Sequence, residues 1–480
     1  MSNIKYYIWS SVGTFGVEIL GFIGNILIAR ILCPDDYGLV AMLAIITQLA
    51  LSFTSAGFND YLIKERDSDN KDFGTVATYN ICIGSLMYLI IFLCSPLIAD
   101  FYNEPRLVLV ARVLAFSIVL KSLTMTGFVR LTKELRFKTN TTINLLCSVG
   151  SIMVTYTMAL CGMGYWALAI QPLVIAVFNL FFLLTIGHWQ PYFCFDRIRF
   201  KEMFAFSSNL LFSYIITTIG TNAYSIIIGK YYSATSLGYY NQAHKMQIVP
   251  TKGINGVMLS TSYPIIAKEK DANKRYNMYV ELFKRFNFIQ TLLVAVLIGI
   301  GEAVFYILLG NKWMPSVPLF HLFMIIALTF PLVTINNNIV KMQSRSDIYR
   351  NLSIVQNALI IIALIVSAPF SITWIIIGQI IANFIGALFY MHYCGRTIEF
   401  TLSKQIKIWL KIAWKPALSL VISGIVVRLT NLDIIISTCI WAVCFIVVFI
   451  AICELTSDKT YQYFKQHLIT ITKKVKKRND

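Results

Sequence analysis

The residues of this 480-residue chain best suited to chemistry are polar side chains set inside long apolar runs. In the first run Ser11, Thr14, Glu18 and Asn25 are spaced i, i+3, i+7, i+14, which puts all four on one helix face. Thr218, Asn222 and Ser225 follow the same pattern in a later run. Arg112 and Lys121 share another, and Lys252 stands three residues before Asn255 in a further one. A charge at mid-membrane costs roughly 2.5–3.5 kcal/mol on insertion scales unless it meets water or a partner, so function is expected at such residues. The cations Lys252, Arg112 and Lys121 and the amides Asn25, Asn222 and Asn255 are the candidate lining of a cavity. Cations offset the charge of a bound anion, while amides and hydroxyls bond neutral polar groups.

Each candidate also has a plainer reading. Arg112 can snorkel to the outer interface and Lys121 to the inner one. The two are nine positions apart, about half a turn round a helix, so both cannot squarely face one cavity. Arg30 and Lys230 sit at matching positions near the outer face, where they guard an outer mouth or serve as interfacial anchors. Glu18 is the only acid well inside a spanning segment in the first lobe. Burial raises a carboxylate's pKa and a nearby cation lowers it, so Glu18 is the candidate for coupling to a cation or proton. The alternative is a fixed ion pair with a cavity lysine.

The elements that position these residues follow from composition. Mean hydropathy is +0.68, with 57% hydrophobic and only 13% charged residues. Soluble domains carry roughly 25% charge, so an all-α polytopic membrane protein is expected. Apolar runs of spanning length fall near 8–29, 38–58, 76–99, 107–127, 141–161, 165–187, 204–229, 246–267, 286–309, 317–340, 352–369, 372–394, 412–430 and 433–454, about fourteen in all. With a cytoplasmic N-terminus, 32 of the 41 basic residues fall on inner segments, which fixes the orientation and makes both termini cytoplasmic. The net charge of +18 then addresses the anionic inner leaflet, and membrane lipids rather than nucleic acid are the expected partner. No cleavable signal peptide is expected, because the first run is long and lacks a cleavage site. The ten cysteines are scattered, without metal-ligand spacing and without implying disulfides, and no cofactor is expected.

The chain also repeats itself. Residues 28–38, closing the first span, match residues 228–238 through Ile28 and Ile228, Arg30 and Lys230, Gly38 and Gly238. Lys64-Glu65-Arg66-Asp67 echoes Lys268-Glu269-Lys270-Asp271, and Tyr165-Trp166 parallels Thr373-Trp374. An even number of spans separates the copies, so the repeat is parallel, about an axis along the membrane normal, as in transporters with two rocking lobes. The expected divisions are an N-lobe at 1–190, a C-lobe at 195–395, two extra helices within 405–456, and a basic tail at 457–480. In the tail, Phe464, Leu468, Ile471 and Val475 recur at helical spacing beside five basic residues, read either as an amphipathic surface helix or as a solvated tail. No phosphate-binding glycine loop, nucleophile elbow or metal cluster appears, so an enzyme is not expected.

Leu27-Ile-Ala-Arg-Ile-Leu-Cys-Pro-Asp-Asp-Tyr-Gly-Leu-Val-Ala41 resembles the opening motif of Wzx-type polysaccharide flippases. These belong to the multidrug/oligosaccharidyl-lipid/polysaccharide exporter superfamily. Arg130-Leu-Thr-Lys-Glu-Leu-Arg-Phe-Lys138, Gly162-Met-Gly-Tyr-Trp-Ala-Leu-Ala169, Leu237-Gly-Tyr-Tyr-Asn241 and Ser262-Tyr-Pro-Ile-Ile266 resemble that family too. The resemblance implies two helical bundles around a central cavity in the bacterial inner membrane. It implies export of an undecaprenyl-pyrophosphate-linked oligosaccharide from inner to outer leaflet by alternating access, for surface polysaccharides such as O-antigen, alongside a polysaccharide polymerase machinery. A basic, amide-rich cavity suits a glycan with a pyrophosphate head. A multidrug/cation antiporter of the same superfamily is the alternative, and a membrane glycan polymerase or ligase the contrasting class. The opening motif has a structural reading as well: Pro34 stops the first helix, Asp35 or Asp36 caps the next, and Gly38 permits close packing. Trp166 and Trp374, at helix ends, read as interfacial anchors or sugar-stacking platforms.

Overall fold

The computed structural model describes residues 2–65, 68–269, 271–342, 346–397, 399–429, 432–467 and 470; the side chains of Ser11, Thr14 and Lys252, among others, lie outside that description. Among the described residues all regular structure is helical. The chain divides into two compact units, residues 1–241 and 242–480.

In the first unit the helices are α1 (Ser2–Ile31), α2 (Pro34–Met42), α3 (Ala44–Ser55), α4 (Phe58–Lys64), α5 (Asn70–Tyr102), α6 (Leu107–Lys133), α7 (Phe137–Leu160), α8 (Tyr165–Thr185) and α9 (Arg197–Tyr231). Helix α10 (Ala234–Lys268) runs across the division. The second unit holds α11 (Ala272–Leu308), α12 (Ser316–Ala327), α13 (Phe330–Met342), α14 (Ser346–Ser367), α15 (Ile372–Thr397), α16 (Leu402–Arg428) and α17 (Ile434–Leu455). Among the described residues, twelve helical segments are long and apolar enough to cross a membrane, with α2–α3 and α12–α13 each counted as one. They fall on twelve of the fourteen expected spans. The first and eighth expected spans coincide with α1 and α10, which are not among the twelve.

Several helices begin well before their apolar runs. α5 starts at Asn70, not near 76, because Asp69 caps it: its carboxylate accepts from the backbone N–H of Lys71 (2.9 Å) and Asp72 (3.1 Å). Asp196 likewise opens α9 by accepting from Ile198 and Arg199, and Asp271 opens α11 through Asn273 and Lys274. Hydropathy marks the part of a helix in hydrocarbon, whereas caps mark where the helix begins in the polar zone.

Large side chains point outward along these helices: Leu93, Leu97, Val366 and Val443 are each about 65% exposed. So much exposed apolar surface is incompatible with water and matches a lipid-facing perimeter. The interiors are small. In the first unit Phe58, Leu62, Val76, Val129 and Met203 close one end of the α4–α5–α6–α9 packing. In the second, the rings of Tyr279 and Phe283 meet Phe400 edge-on at 5.7 and 5.5 Å. A hydrogen-bonded chain crosses that core: Tyr279 Oη donates to Asn336 Oδ1 (3.0 Å), Asn336 Nδ2 to Gln405 Oε1 (3.2 Å), and Gln405 Nε2 to the Phe400 carbonyl (2.7 Å). The two helices outside the repeat, α16 and α17, pack on α11 in this unit; a Cβ at Gly299 would meet the Trp441 ring at 1.9 Å.

Candidate functional site

The helix breaks of the repeat coincide. α1 ends at Ile31 and α2 starts at Pro34; α9 ends at Tyr231 and α10 starts at Ala234. The two breaks pack against each other. A Cβ on Gly38 would lie 1.6 Å from the Ala234 carbonyl oxygen, and one on Gly238 would lie 1.9 Å from that of Pro34. Only hydrogen fits at either place. Asp36 makes the cap, its carboxylate accepting from the Cys33 N–H (2.9 Å). That leaves Asp35 to face across: it accepts from Arg106 Nη1 (2.8 Å) and Thr235 Oγ1 (3.2 Å). Arg106 also grips Glu104 (2.7 Å). The guanidinium holds the Glu104 carboxyl below its usual range, and Glu104 with Asp35 pushes the Arg106 pKa up. These charges are about one- to two-fifths exposed, so they set geometry more than stability.

Of the two outer-mouth candidates, Lys230 donates to the Phe101 carbonyl in the last turn of α5 and sits 4.7 Å from the Phe101 ring centroid. A cation there also complements the negative end of that helix. Arg30 is exposed at the end of α1.

Asn222 stands on a polar seam between α3 and α9. Its amide donates to Gln48 Oε1 (2.9 Å) and to the Thr218 carbonyl (2.9 Å). Further along, Tyr214 Oη donates to Asp60 Oδ2 (2.7 Å). Gln48 and Asp60 are absent from the sequence-derived set. Gln48 was legible as a lone amide in an apolar run; Asp60 sits just past that run, where its depth is ambiguous.

Arg112 lies between α6 and α5. Its Nε donates to Ser95 Oγ (2.9 Å) and its guanidinium lies 4.3 Å from the Phe92 ring centroid, so it ties α6 to α5. Lys121, farther along α6, is half-buried. On α1 the shared face is unevenly covered: Asn25 is buried, with its carbonyl accepting from Tyr37 Oη (3.3 Å), whereas Glu18 is exposed. Lys252 lies on α10 with its side chain outside the described residues. Asn255, one turn on, is half-buried, and its Oδ1 has no hydrogen-bond partner among the described residues.

The second unit holds a largely apolar pocket with a few charged and polar groups, which sequence reasoning missed. A cavity of about 600 Å³ opens between α11, α12, α16 and α17, lined among others by Glu302, His321, Arg428, Ser437 and Thr438. Glu302 lies inside the expected 286–309 span. Like Glu18 in the first half of the chain, Glu302 is an acid set well inside an apolar run, where a charge is costly unless it meets water or a partner.

Long apolar helices, paired polar breaks and embedded amides define a multi-pass membrane protein of the transporter kind. The family described as "Polysaccharide biosynthesis protein" matches residues 27–318, and the chain belongs to it. It is 25% identical to the teichuronic acid biosynthesis protein TuaB of Bacillus subtilis (strain 168), over 72% of each chain. It is 21% identical to the lipopolysaccharide biosynthesis protein WzxC of Escherichia coli (strain K12), over 75% of this chain and 73% of that one. Its fold is similar to that of the lipid II flippase MurJ, with a TM-score of 0.71 at 14% identity, covering 94% of this chain and all of MurJ. The resemblance to Wzx-type proteins in the opening motif therefore extends over residues 27–318 in the family match and over 75% of the chain in the match to WzxC.

Proposed function

We propose that the protein is a flippase carrying an undecaprenyl-pyrophosphate-linked oligosaccharide from the inner to the outer leaflet of the bacterial inner membrane, by alternating access, during surface polysaccharide synthesis. The observation that carries this reading is the family match across residues 27–318, which includes both copies of the broken-helix motif. The embedded groups supply suitable chemistry. Lys252 with either Arg112 or Lys121 offsets pyrophosphate charge, and Asn25, Asn222 and Asn255 bond sugar hydroxyls. Glu18 couples transport to a cation or proton, and Arg30 and Lys230 flank the outer mouth. The lipid tail stays in the bilayer, no covalent chemistry is required, and a polysaccharide polymerase takes up the product.

The test is complementation in a flippase-null strain. Neutral substitution of Lys252 together with Arg112 and Lys121 should abolish export while leaving protein abundance in the membrane unchanged. Full export by the triple variant would place the phosphate elsewhere. Efflux of cationic dyes by reconstituted wild type, with no movement of lipid-linked glycan, would instead favour the antiporter.

A further inference from the structure

The motif Arg130–Lys138 has no part in the transport reading, yet it builds a pocket. A cavity of about 170 Å³ lies between the end of α6, the start of α7 and the turn after α8. Arg130, Glu134 and Arg136 form one wall, and His188, Trp189 and Gln190 another. Arg136 Nη1 donates to the Gly187 carbonyl (3.1 Å), which fixes the two loops together. Arg130 Nε donates to Glu134 Oε1 (2.9 Å), and Glu134 Oε2 stands 3.8 Å from Arg136 Nη1. Each guanidinium has five N–H donors, so most of them stay open for a ligand.

The floor is rigid. Trp189 is 9% exposed, and a Cβ on Gly127 would meet its ring at 3.0 Å. Leu135 and His188, neither of them glycine, adopt left-handed backbone angles (φ 57° and 50°) on opposite lips. Such strain persists only where surrounding contacts over-determine it. Arg130, Lys133, Arg136 and Lys138 outnumber Glu134 here, so the local field attracts anions. The pocket sits at the Lys133 end of an apolar helix of spanning length, Leu107–Lys133, where a spanning helix meets the headgroup zone. Its volume is below the roughly 300–1,000 Å³ of pockets for drug-sized ligands, which fits a phosphate group better than a glycan.

We infer that this pocket binds the phosphate of an anionic lipid headgroup, one without a cationic group to compete with the arginines, with the Arg130 and Arg136 guanidinium forks as its donors. Planar guanidinium matches phosphate oxygens two at a time, and the apolar perimeter beside the pocket accepts the acyl chains. The inference is independent of the transport reading, because it needs binding only.

Trp189 provides the readout. Purified full-length protein is placed in nanodiscs of phosphatidylcholine containing dibrominated phosphatidylglycerol or dibrominated phosphatidylcholine, and the Trp189→Phe variant isolates the Trp189 signal. Brominated phosphatidylglycerol should quench Trp189 more strongly than brominated phosphatidylcholine. That difference should vanish in the Arg130→Gln/Arg136→Gln variant and survive in Arg130→Lys/Arg136→Lys at reduced size. Competition by undecaprenyl phosphate would assign the pocket to the polyprenyl carrier, and its failure to compete would assign it to bulk anionic phospholipid; both outcomes keep a lipid phosphate in the pocket. Equal quenching by the two brominated lipids, or a difference that persists in the glutamine variant while it elutes as a folded monodisperse species, would overturn the inference. Displacement by millimolar inorganic phosphate would also overturn it, by showing that the lipid portion contributes nothing.

Discussion

Glu18→Gln removes a charge while keeping shape, so it separates coupling from structure. If Glu18 is the coupling group, gradient-driven export in reconstituted vesicles should fall to the level seen without a gradient, while substrate binding is retained. Unchanged gradient dependence would remove Glu18 from the mechanism and turn attention to Glu302. A second residue-level expectation concerns glycines. At Gly38 an added methyl meets backbone, the Ala234 carbonyl, which cannot rotate away. Gly38→Ala should therefore cost at least the roughly 1–3 kcal/mol typical of overpacking, read as a lowered melting temperature in detergent. Gly220, in the middle of α9, has nothing within 4 Å of its Cβ position. Gly220→Ala should be neutral or stabilising by about 0.5–1 kcal/mol. A melting temperature equally lowered in both variants would mean that the Gly38 contact is not what matters. The identity of such residues was visible in the sequence, but their surroundings were not. Spacing places Arg112 at a depth along α6, yet nothing in the spacing says that its guanidinium turns to Ser95 and Phe92. Asn222 was found from its spacing, while its partner Gln48 lies 174 positions away and shares no local pattern with it.

The segment after α17 shows how far periodicity carries a reading of whole elements. The sequence suggested a surface helix or a solvated tail beyond 457. Its described beginning, 459–467, is helical and packs on the second unit: Phe464 stacks on Phe288 at 5.6 Å, and Tyr463 lies 3.8 Å beneath the Arg285 guanidinium. Leu468, Ile471 and Val475, the rest of the expected apolar stripe, lie outside the described residues. Asp458 caps this turn through the N–H groups of Thr460 (2.8 Å) and Tyr461 (3.0 Å) and pairs with Lys415, which is 2% exposed on α16. Burial pushes the Asp458 carboxyl up, but the Lys415 ammonium and the two backbone donors outweigh it and hold the group below its usual range. A lowered folded-state value means the pair contributes stability above the unfolded carboxylate range, near pH 4, and loses it only as pH falls below that. Between pH 5 and 8 the wild-type melting temperature should therefore owe no slope to this pair. Asp458→Asn leaves a buried ammonium without its countercharge and should cost about 3–5 kcal/mol. Restoring most of the loss by Lys415→Met in the Asp458→Asn background would identify the lone charge as the cause; no recovery would point to the lost cap. The spans themselves were readable because hydrocarbon imposes one length and one polarity on every crossing helix. Their starts at Asn70, Arg197 and Ala272 were not, because an aspartate cap several residues upstream leaves no trace in an average over apolar residues.

For the molecule as a whole, the charge asymmetry expects both ends of the chain on one side. In a cysteine-free background, single cysteines at 404 and 460 should be shielded from impermeant reagents in intact cells, and one at 312 should be labelled. Labelling of 404 from outside would invert the orientation and, with it, the proposed direction of transport. The sequence repeat and the packing also divide the chain differently. By repeat, α9 opens the second lobe expected to start at 195; by packing, it lies with α3, α4 and α5 in the first unit. The reciprocal seating of Gly38 on Ala234 and Gly238 on Pro34 has a consequence for how such a chain can change over generations. Each turn is the other's socket. One residue inserted between Ile31 and Pro34 would carry Gly38 past the Ala234 carbonyl and also move the Pro34 carbonyl off Gly238, so a single indel breaks two contacts in opposite directions. A loop with no such reciprocal seat can lengthen by itself, whereas these two can be altered only by matched events. Descendants of an ancestral duplication would then keep equal turn lengths here long after the remaining sequence identity between their halves has faded.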